Sequence, residues 1–230
     1  MIASLLNPPS KIRTFASAAV LLGASLLCVP GLLAQDMVRY KATPASSMTI
    51  AGTSTAHDWT IVGRLVSGFL ELPAGVTLDQ SKAGPAVGAN GQISAKAQVL
   101  VPVTSLKGDY QGMDEVMQQA MDAKNHPLIQ YQLTEMTFKQ PHTAGKPLEF
   151  DTKGNLVVNG VTNVIAMPVS IETTNSGKLK ISGKIALKMT DYKVKPPVLV
   201  ILKTGDDITL TFDWLVAVQA AAPAPAAKTP

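Results

Sequence analysis

Cysteine, histidine and clustered cationic residues are scarce in this chain of 230 residues, and each scarcity removes support for a class of function. The single cysteine, Cys28, lies in an N-terminal apolar segment, so the rest of the chain has no thiol for a disulfide, a nucleophile or a metal ligand. The three histidines share no ligand spacing, so the sequence supports no metal site. No Lys/Arg run occurs and none is interleaved with aromatic residues, so nucleic-acid binding has no support.

The first 34 residues have the features of a secretory signal peptide. A basic start with Lys11 and Arg13 precedes an apolar run without charge, and the small residue Ala34 ends the segment. We expect cleavage before Gln35, and hence a periplasmic or secreted protein without a stable membrane span. Cleavage removes these two cations and lowers the formal net charge from +4 to +2, a value that says little about partners.

Two other fates of this segment stay open. It could remain as an uncleaved anchor, although its apolar run is shorter than the roughly 20 residues that a membrane span needs. Cys28 could be lipidated, although Leu27 stands where the processing site requires a small side chain.

Between the two ends of the chain, residues 35–219 form the predicted globular part. No internal linker divides them, and their number is sufficient for one β-barrel or sandwich domain. Residues 220–230 are rich in Pro and Ala without apolar periodicity, which predicts a disordered tail.

Apolar and polar residues alternate strictly in several segments of this domain. In residues 178–189, for example, Leu179 and Ile181 alternate with Lys178 and Lys180. Residues 93–103 and 208–218 have the same period of two, which is typical of strands with one face in a core and the other in water. The pattern predicts an all-β fold, closed or nearly closed, with antiparallel strands and one packed interior. The other predicted strands are residues 38–43, 47–54, 60–72, 129–139, 148–151, 155–159 and 164–172.

One segment has a helical period instead. Met113, Met117 and Met121 are four residues apart within residues 112–124, which predicts a single amphipathic helix ending before His126. We expect its methionine face to close one end of the β structure, where flexible side chains also suit a lid over an irregular ligand.

A dense polar cluster follows the second predicted strand. Ser54, His57 and Asp58 together suggest a hydrolase, but they are too close in sequence to assume triad geometry, and no Gly-x-Ser-x-Gly motif occurs. We expect these residues to hydrogen-bond a turn at the rim of the fold, with Trp59 packed into the end of the core. Contact with the head of a ligand and catalysis are the weaker alternatives.

Five motifs in a fixed order resemble those of YceI-like proteins, over roughly residues 37–219. They are GTSTAHDW at 52–59, Met-Asp at 113–114 leading the helix, HPLIQY at 126–131, GNLVVNGVT at 154–162 and TDYKVKPP at 190–197. The resemblance implies an eight-stranded antiparallel lipocalin-like β-barrel with one short helix. It also implies an apolar tunnel that holds a long polyisoprenoid.

The strand pattern and the resemblance together give a candidate site in the barrel interior and at its rim. An eight-stranded barrel can hold one slim ligand if many inward side chains are small. The candidate ligand-binding residues are His57, Trp59, Ala95, Ala97, Val99, Val101, Met117, Met121, Ile185, Leu187 and Phe212.

The resulting hypothesis is a binding protein and not an enzyme. We expect it to sequester or carry an isoprenoid, a quinone-like lipid or another long apolar molecule, without a catalytic residue, metal or other cofactor. The alternative is a ligand-free barrel that acts as an envelope stress or protein-interaction module. A homodimer is left open.

Overall fold

The computed structural model describes residues 36–109, 111–199 and 202–219. The predicted signal peptide and the predicted C-terminal tail lie outside these residues. The one α-helix described, α1, spans Gln111–Ala120. The strands are β1 (Met37–Ala42), β2 (Ser47–Ser54), β3 (Trp59–Gly63), β4 (Ser67–Pro73), β5 (Lys96–Pro102), β6 (Leu106–Lys107), β7 (Leu128–Phe138), β8 (Leu148–Val158), β9 (Val161–Thr173), β10 (Leu179–Lys188), β11 (Val198–Leu199) and β12 (Leu202–Val218).

Antiparallel pairing closes these strands into a barrel with eight positions. Strand β12 closes it, pairing with β10 on one side and with both β1 and β2 on the other. The first three positions are each shared by two short strands, β1 with β2, β4 with β3, and β5 with β6, and the other five are β7, β8, β9, β10 and β12. The eight-stranded antiparallel barrel expected from the resemblance is therefore confirmed.

Ser46 connects the bend between β1 and β2 to β12, so that the barrel wall is not interrupted there. It is 2% exposed, and its hydroxyl oxygen accepts a hydrogen bond from Leu215 N–H at 3.0 Å. The same oxygen lies 2.9 Å from the Thr43 carbonyl. Since a sharp bend breaks the strand ladder, this side chain satisfies backbone groups that the ladder leaves without partners.

Two predicted strand boundaries are wrong. The segment 60–72 is two strands, because the chain leaves the ladder between Gly63 and Ser67. Residues 148–151 and 155–159 are in contrast one strand, β8, because Gly154 stays in register with Ile165 of β9 and with Leu133 of β7.

One end of the barrel, the loop end, is closed by residues 74–95. Leu78 and Ile93 of this segment are each 6% exposed, and Thr173 Oγ1 donates to the Leu78 carbonyl at 2.7 Å. Beneath the segment lies a core of large side chains, including Phe138, Phe150 and Trp214. These side chains pack beneath the segment, and Trp214 among them also borders a cavity further inside the barrel.

The other end, the helix end, is covered by α1. Its apolar residues contact a second group of buried side chains that includes Leu106, Met121 and Tyr192. The regular helix ends at Ala120, earlier than predicted, and Met121 N–H still donates to the Met117 carbonyl at 2.9 Å. None of the helices in the described ranges has the length and hydrophobicity that a membrane crossing requires.

Candidate functional site

A deep cavity of about 110 Å³ lies inside the barrel. Its walls are almost entirely apolar, and the hydroxyl of Thr152 within them donates to the Met167 carbonyl at 2.8 Å. Strands from all around the barrel contribute, because the inward residues of each strand face the same axis. The lining includes Met48, Ala97, Val99, Val101, Tyr131, Met136, Ile165, Met167, Ile181, Ile185, Phe212 and Trp214.

An outer cavity of about 180 Å³ lies between the barrel and α1. Apolar residues of the helix and of the surrounding strands form most of it, and several polar side chains also belong to its wall. The lining includes Ile50, Ser54, His57, Trp59, Thr60, Asp109, Met113, Asp114, Met117, Met121, Leu187, Met189, Tyr192 and Thr204.

The two cavities are neighbours along the barrel axis. Ile129, Leu156 and Leu210 belong to the walls of both. A slim molecule that enters beside α1 therefore meets apolar walls from the helix end to the middle of the barrel.

Aromatic rings in these walls pack against glycines on neighbouring strands. A Cβ atom at Gly154 would lie 2.5 Å from the Tyr131 ring, and one at Gly183 would lie 2.6 Å from the Phe212 ring. The glycines therefore let both rings lie close to the wall, which leaves the barrel axis free. Burial raises the pKa of the Tyr131 hydroxyl above its usual value, so the group stays neutral.

Methionine is concentrated around the cavities. Met48, Met136 and Met167 line the deep cavity, and the outer cavity adds the four residues Met113, Met117, Met121 and Met189. The thioether side chain is unbranched and polarisable, so it can adapt to occupants of different shape.

Asp114 fixes the start of α1 to the barrel. Its Oδ1 accepts a hydrogen bond from Gly108 N–H at 2.7 Å, and its Oδ2 lies 3.3 Å from Lys107 Nζ. The residue is only 5% exposed, so both contacts compensate the burial of a charge. The helix is thereby held over the outer cavity.

The polar cluster at the rim forms a turn, as predicted, and its contacts do not make a triad. Ser54 Oγ donates to the His57 carbonyl at 2.8 Å and accepts from His57 N–H at 3.2 Å. His57 Nδ1 lies 2.7 Å from the main-chain oxygen of Asp58, not from its carboxylate. Trp59 Nε1 donates to the Thr53 carbonyl at 3.0 Å. The serine hydroxyl and the imidazole thus contact main-chain groups of the turn.

The other two histidines have structural contacts of their own. The ring of His126 packs over Gly160, where an added Cβ would lie 2.5 Å from its Cε1 atom. His142 Nε2 lies 3.2 Å from the Gln80 carbonyl, at the loop end. Within the part of the chain that the structure describes, no three His, Cys, Asp or Glu side chains are grouped as metal ligands would be.

The structure brings ten of the eleven candidate residues to the cavity walls. Ala97, Val99, Val101, Ile185 and Phe212 line the deep cavity. The outer cavity has His57, Trp59, Met117, Met121 and Leu187 in its lining.

Ala95 is the exception, because it lines neither cavity. Its N–H donates to the Ile93 carbonyl at 2.8 Å in a tight turn before β5 begins at Lys96, and it packs against the core of the loop end. The alternation continued through Ala95 in the sequence, but the strand did not.

Sequence reasoning also missed several wall residues. Ile165, Met167, Val169 and Ile171 of β9 all line the deep cavity. Their alternation was visible in the sequence and could have identified them. Asp109 and Asp114 had no such signal, because their place in the outer cavity depends on how α1 crosses the barrel.

Comparisons with known proteins agree with this architecture. The model of the YceI-like domain matches residues 42–215. BcnA of Burkholderia cenocepacia is similar in structure, with a TM-score of 0.56, 17% identity and coverage of 77% of this chain and 99% of that one. A polyisoprenoid binding domain from Saccharophagus degradans, implicated in plant cell wall breakdown, has a TM-score of 0.57 and 12% identity, with coverage of 80% and 100%.

At these identities the two solved structures show the fold alone, and the family follows from the domain match. A comparison with curated protein sequences gives no significant match. Because the matched region spans most of the chain and the same barrel is found in the structure, the chain belongs to the YceI-like family.

Proposed function

We propose that this protein binds an isoprenoid or another long apolar lipid inside its barrel and carries or sequesters it. The observation that carries the proposal is the pair of neighbouring apolar cavities with three wall residues in common. The name of the Saccharophagus degradans neighbour, a polyisoprenoid binding domain, supports the same ligand class. It also favours a binding role over catalysis.

Burial of apolar surface would supply the affinity. Transfer of apolar area from water gains about 25 cal/mol per Å², so a tail that buries about 400 Å² gains about 10 kcal/mol. Association itself costs several kcal/mol in lost freedom, so a tail of several isoprene units is favoured over a single unit. No charged contact is required within the deep cavity.

The arrangement of polar groups favours one orientation of the ligand. The deep cavity has apolar walls, whereas Ser54, His57, Thr60 and Thr204 lie in the wall of the outer cavity. A polar head buried in the deep cavity would lose its hydrogen bonds to water, at a cost of about 1–3 kcal/mol. The tail therefore enters first, and the head stays beside α1.

The site of action is a further part of the proposal. The predicted signal peptide supports a periplasmic or secreted protein. In either compartment a carrier that shields an isoprenoid tail from water is useful, because such a tail is insoluble by itself. Sequencing the N-terminus of the protein from the envelope and medium fractions of its host tests cleavage before Gln35.

Two matched substitutions test binding in the barrel. Val99 lines the deep cavity, and Val164 is 71% exposed on the outer face, so Val99→Phe fills the cavity and Val164→Phe does not. We expect a stoichiometric lipid in the organic extract and native mass spectrum of the unaltered protein from its native host. Val164→Phe should keep it and Val99→Phe should lose most of it, with both variants folded by circular dichroism.

An empty barrel in all three proteins, unchanged by added isoprenoids, would contradict the proposal. That result would favour a ligand-free barrel that acts as an envelope stress or protein-interaction module. Equal lipid in both variants would place the bound lipid outside the deep cavity and would also contradict it. Cross-linking of the purified protein measures separately whether it forms a homodimer.

A further inference from the structure

We propose that the outer cavity selects lipids whose head group carries no negative charge, and that it discriminates against phosphorylated isoprenoids. This inference rests on the proposed function, since it concerns the head of the lipid held in the same barrel. It is drawn from the charges and hydrogen-bonding groups around the mouth of the site.

The charged side chains in the wall of the outer cavity are acidic. Asp109 and Asp114 both belong to it, together with the imidazole of His57, and no Lys or Arg does so among the described residues. A diphosphate placed there would bring several negative charges close to Asp109 and to Asp114, of which Asp114 is paired with Lys107. Like charges within a few ångströms repel, and because Asp109 is exposed this repulsion is screened by salt.

The cation that contacts the wall residue Asp114 is Lys107, which forms an ion pair with it. Lys107 Nζ lies 3.3 Å from Asp114 Oδ2, and the lysine side chain is 61% exposed. Its charge compensates the buried carboxylate, which also accepts from Gly108 N–H. A phosphate that recruited Lys107 would have to compete with Asp114 and would weaken the contact that holds α1.

Other lysines lie close in sequence to the wall but do not belong to it. Lys193, Lys195 and Lys203 are exposed and are not part of the lining, although Val194 and Thr204 beside them are. A phosphate bound by these lysines would lie outside the cavity. The tail would then be drawn away from the deep cavity, with loss of buried apolar area.

An uncharged head, in contrast, finds suitable partners. Thr60 and Thr204 present hydroxyls that donate or accept, and the carboxylate of Asp109 accepts from a hydroxyl. An alcohol, phenol or quinone oxygen can thus be hydrogen-bonded at the mouth without an added charge. The shared chemistry is a neutral oxygen on an isoprenoid tail.

The direct test compares lipids with the same tail and different heads. Affinities of geranylgeraniol and geranylgeranyl diphosphate for the full protein are measured by native mass spectrometry and by isothermal titration. We expect the alcohol to bind about tenfold more tightly at low ionic strength, with a smaller ratio at high salt because salt screens the repulsion.

Variants then assign the preference to the wall. Asp109→Asn should lower the ratio of the alcohol affinity to the diphosphate affinity about threefold or more, since one repulsive charge is removed. Asp151→Asn removes the same charge from the outer face, where Asp151 pairs with Lys139 at 2.9 Å, and should leave the ratio unchanged. If both variants changed the ratio equally, the preference for the uncharged lipid would follow from the net charge of the protein. That result would overturn its assignment to the wall of the outer cavity.

The possible failures are distinguishable. Tighter binding of the diphosphate than of the alcohol, or equal binding, overturns this inference and leaves the lipid-binding function standing. Loss of diphosphate binding in Lys195→Ala or Lys203→Ala would then locate the phosphate on the outer lysines. Binding of neither lipid contradicts the proposed function itself.

Discussion

The loop end and the helix end of the barrel are built from the same strands but are filled differently. At the loop end, Phe150 and Leu148 are 0% exposed and Leu72 is 1% exposed, beneath a covering segment of chain. At the helix end, a cavity of about 180 Å³ remains beneath one short helix. The loop end is a packed core, whereas the helix end keeps a cavity that α1 covers.

The difference shows that the period of a strand does not determine whether its inward side chains fill the barrel. Alternation decides which side chains face the axis, whereas their volume decides whether the axis is filled. At the loop end, the rings of Phe138 and Phe150 are buried in the core. In the middle of the barrel, the rings of Tyr131 and Phe212 lie over Gly154 and Gly183 and leave the axis free.

The largest expected effect comes from emptying the packed end. Phe150→Ala should lower the free energy of unfolding by about 3–5 kcal/mol, since it removes a fully buried ring that neighbours cannot replace. The matched change at the other end, Met117→Ala, should cost only about 1 kcal/mol because Met117 is half-buried beside an existing cavity. Urea unfolding of both variants measures the contrast, and equal losses would refute it.

The junction between the two ends should be nearly as sensitive. Ser46→Ala removes the acceptor of Leu215 N–H at the bend between β1 and β2, where the side chain is 2% exposed. A buried donor left without a partner costs about 1–3 kcal/mol. Ser176→Ala, in the exposed turn between β9 and β10, is the control and should stay within about 0.5 kcal/mol. A similar loss in both would mean that the bend does not depend on this hydroxyl.

A smaller and more local effect is expected where α1 is attached. Asp114→Ala removes the acceptor of Gly108 N–H and the partner of Lys107, so stability should fall by about 1–2 kcal/mol. Hydrogen exchange of the α1 amides should become faster, while that of β8 and β9 at the loop end stays unchanged. Uniform acceleration across the barrel would show that the helix is not a separately anchored cover.

The smallest effect concerns an exposed carboxylate at the helix end. The hydroxyl of Thr190, at 2.7 Å, and its N–H lower the pKa of Asp206 below its usual value. A lowered pKa in the folded state gives stability that is present above the unfolded pKa of about 3.9 and is lost as pH falls through the folded value. Asp206→Asn should therefore reduce the slope of melting temperature against pH between about pH 4 and 2. An unchanged slope would contradict this role.

Most of the fold could be predicted from the sequence, and the failures share a cause. The alternation in residues 93–103 continued through Ala95, although the strand begins only at Lys96. Residues 148–151 and 155–159 were predicted as two strands, but β8 runs through both without a break. Both boundaries depend on hydrogen-bond pairing with neighbouring strands, and a linear pattern does not contain that information.

The candidate site was also predictable only in part, because a linear pattern identifies inward residues but not the path of the chain between strands. Small and medium inward residues such as Ala97 and Val99 follow from alternation, and Met117 and Met121 follow from helical spacing. Asp109 could not be found, because it follows a two-residue strand and reaches the cavity only through the path of the chain into α1.

The sequence by itself determined the inward and outward faces of the strands, the existence of one methionine-faced helix and the family motifs. These are local properties, set by side-chain period and by backbone preference. Only the tertiary structure decided that β12 closes the barrel against both β1 and β2, that the loop end is a packed core, and that α1 leaves a cavity with acidic side chains in its wall. The physical reason is that closure and free volume depend on contacts between residues far apart in the chain.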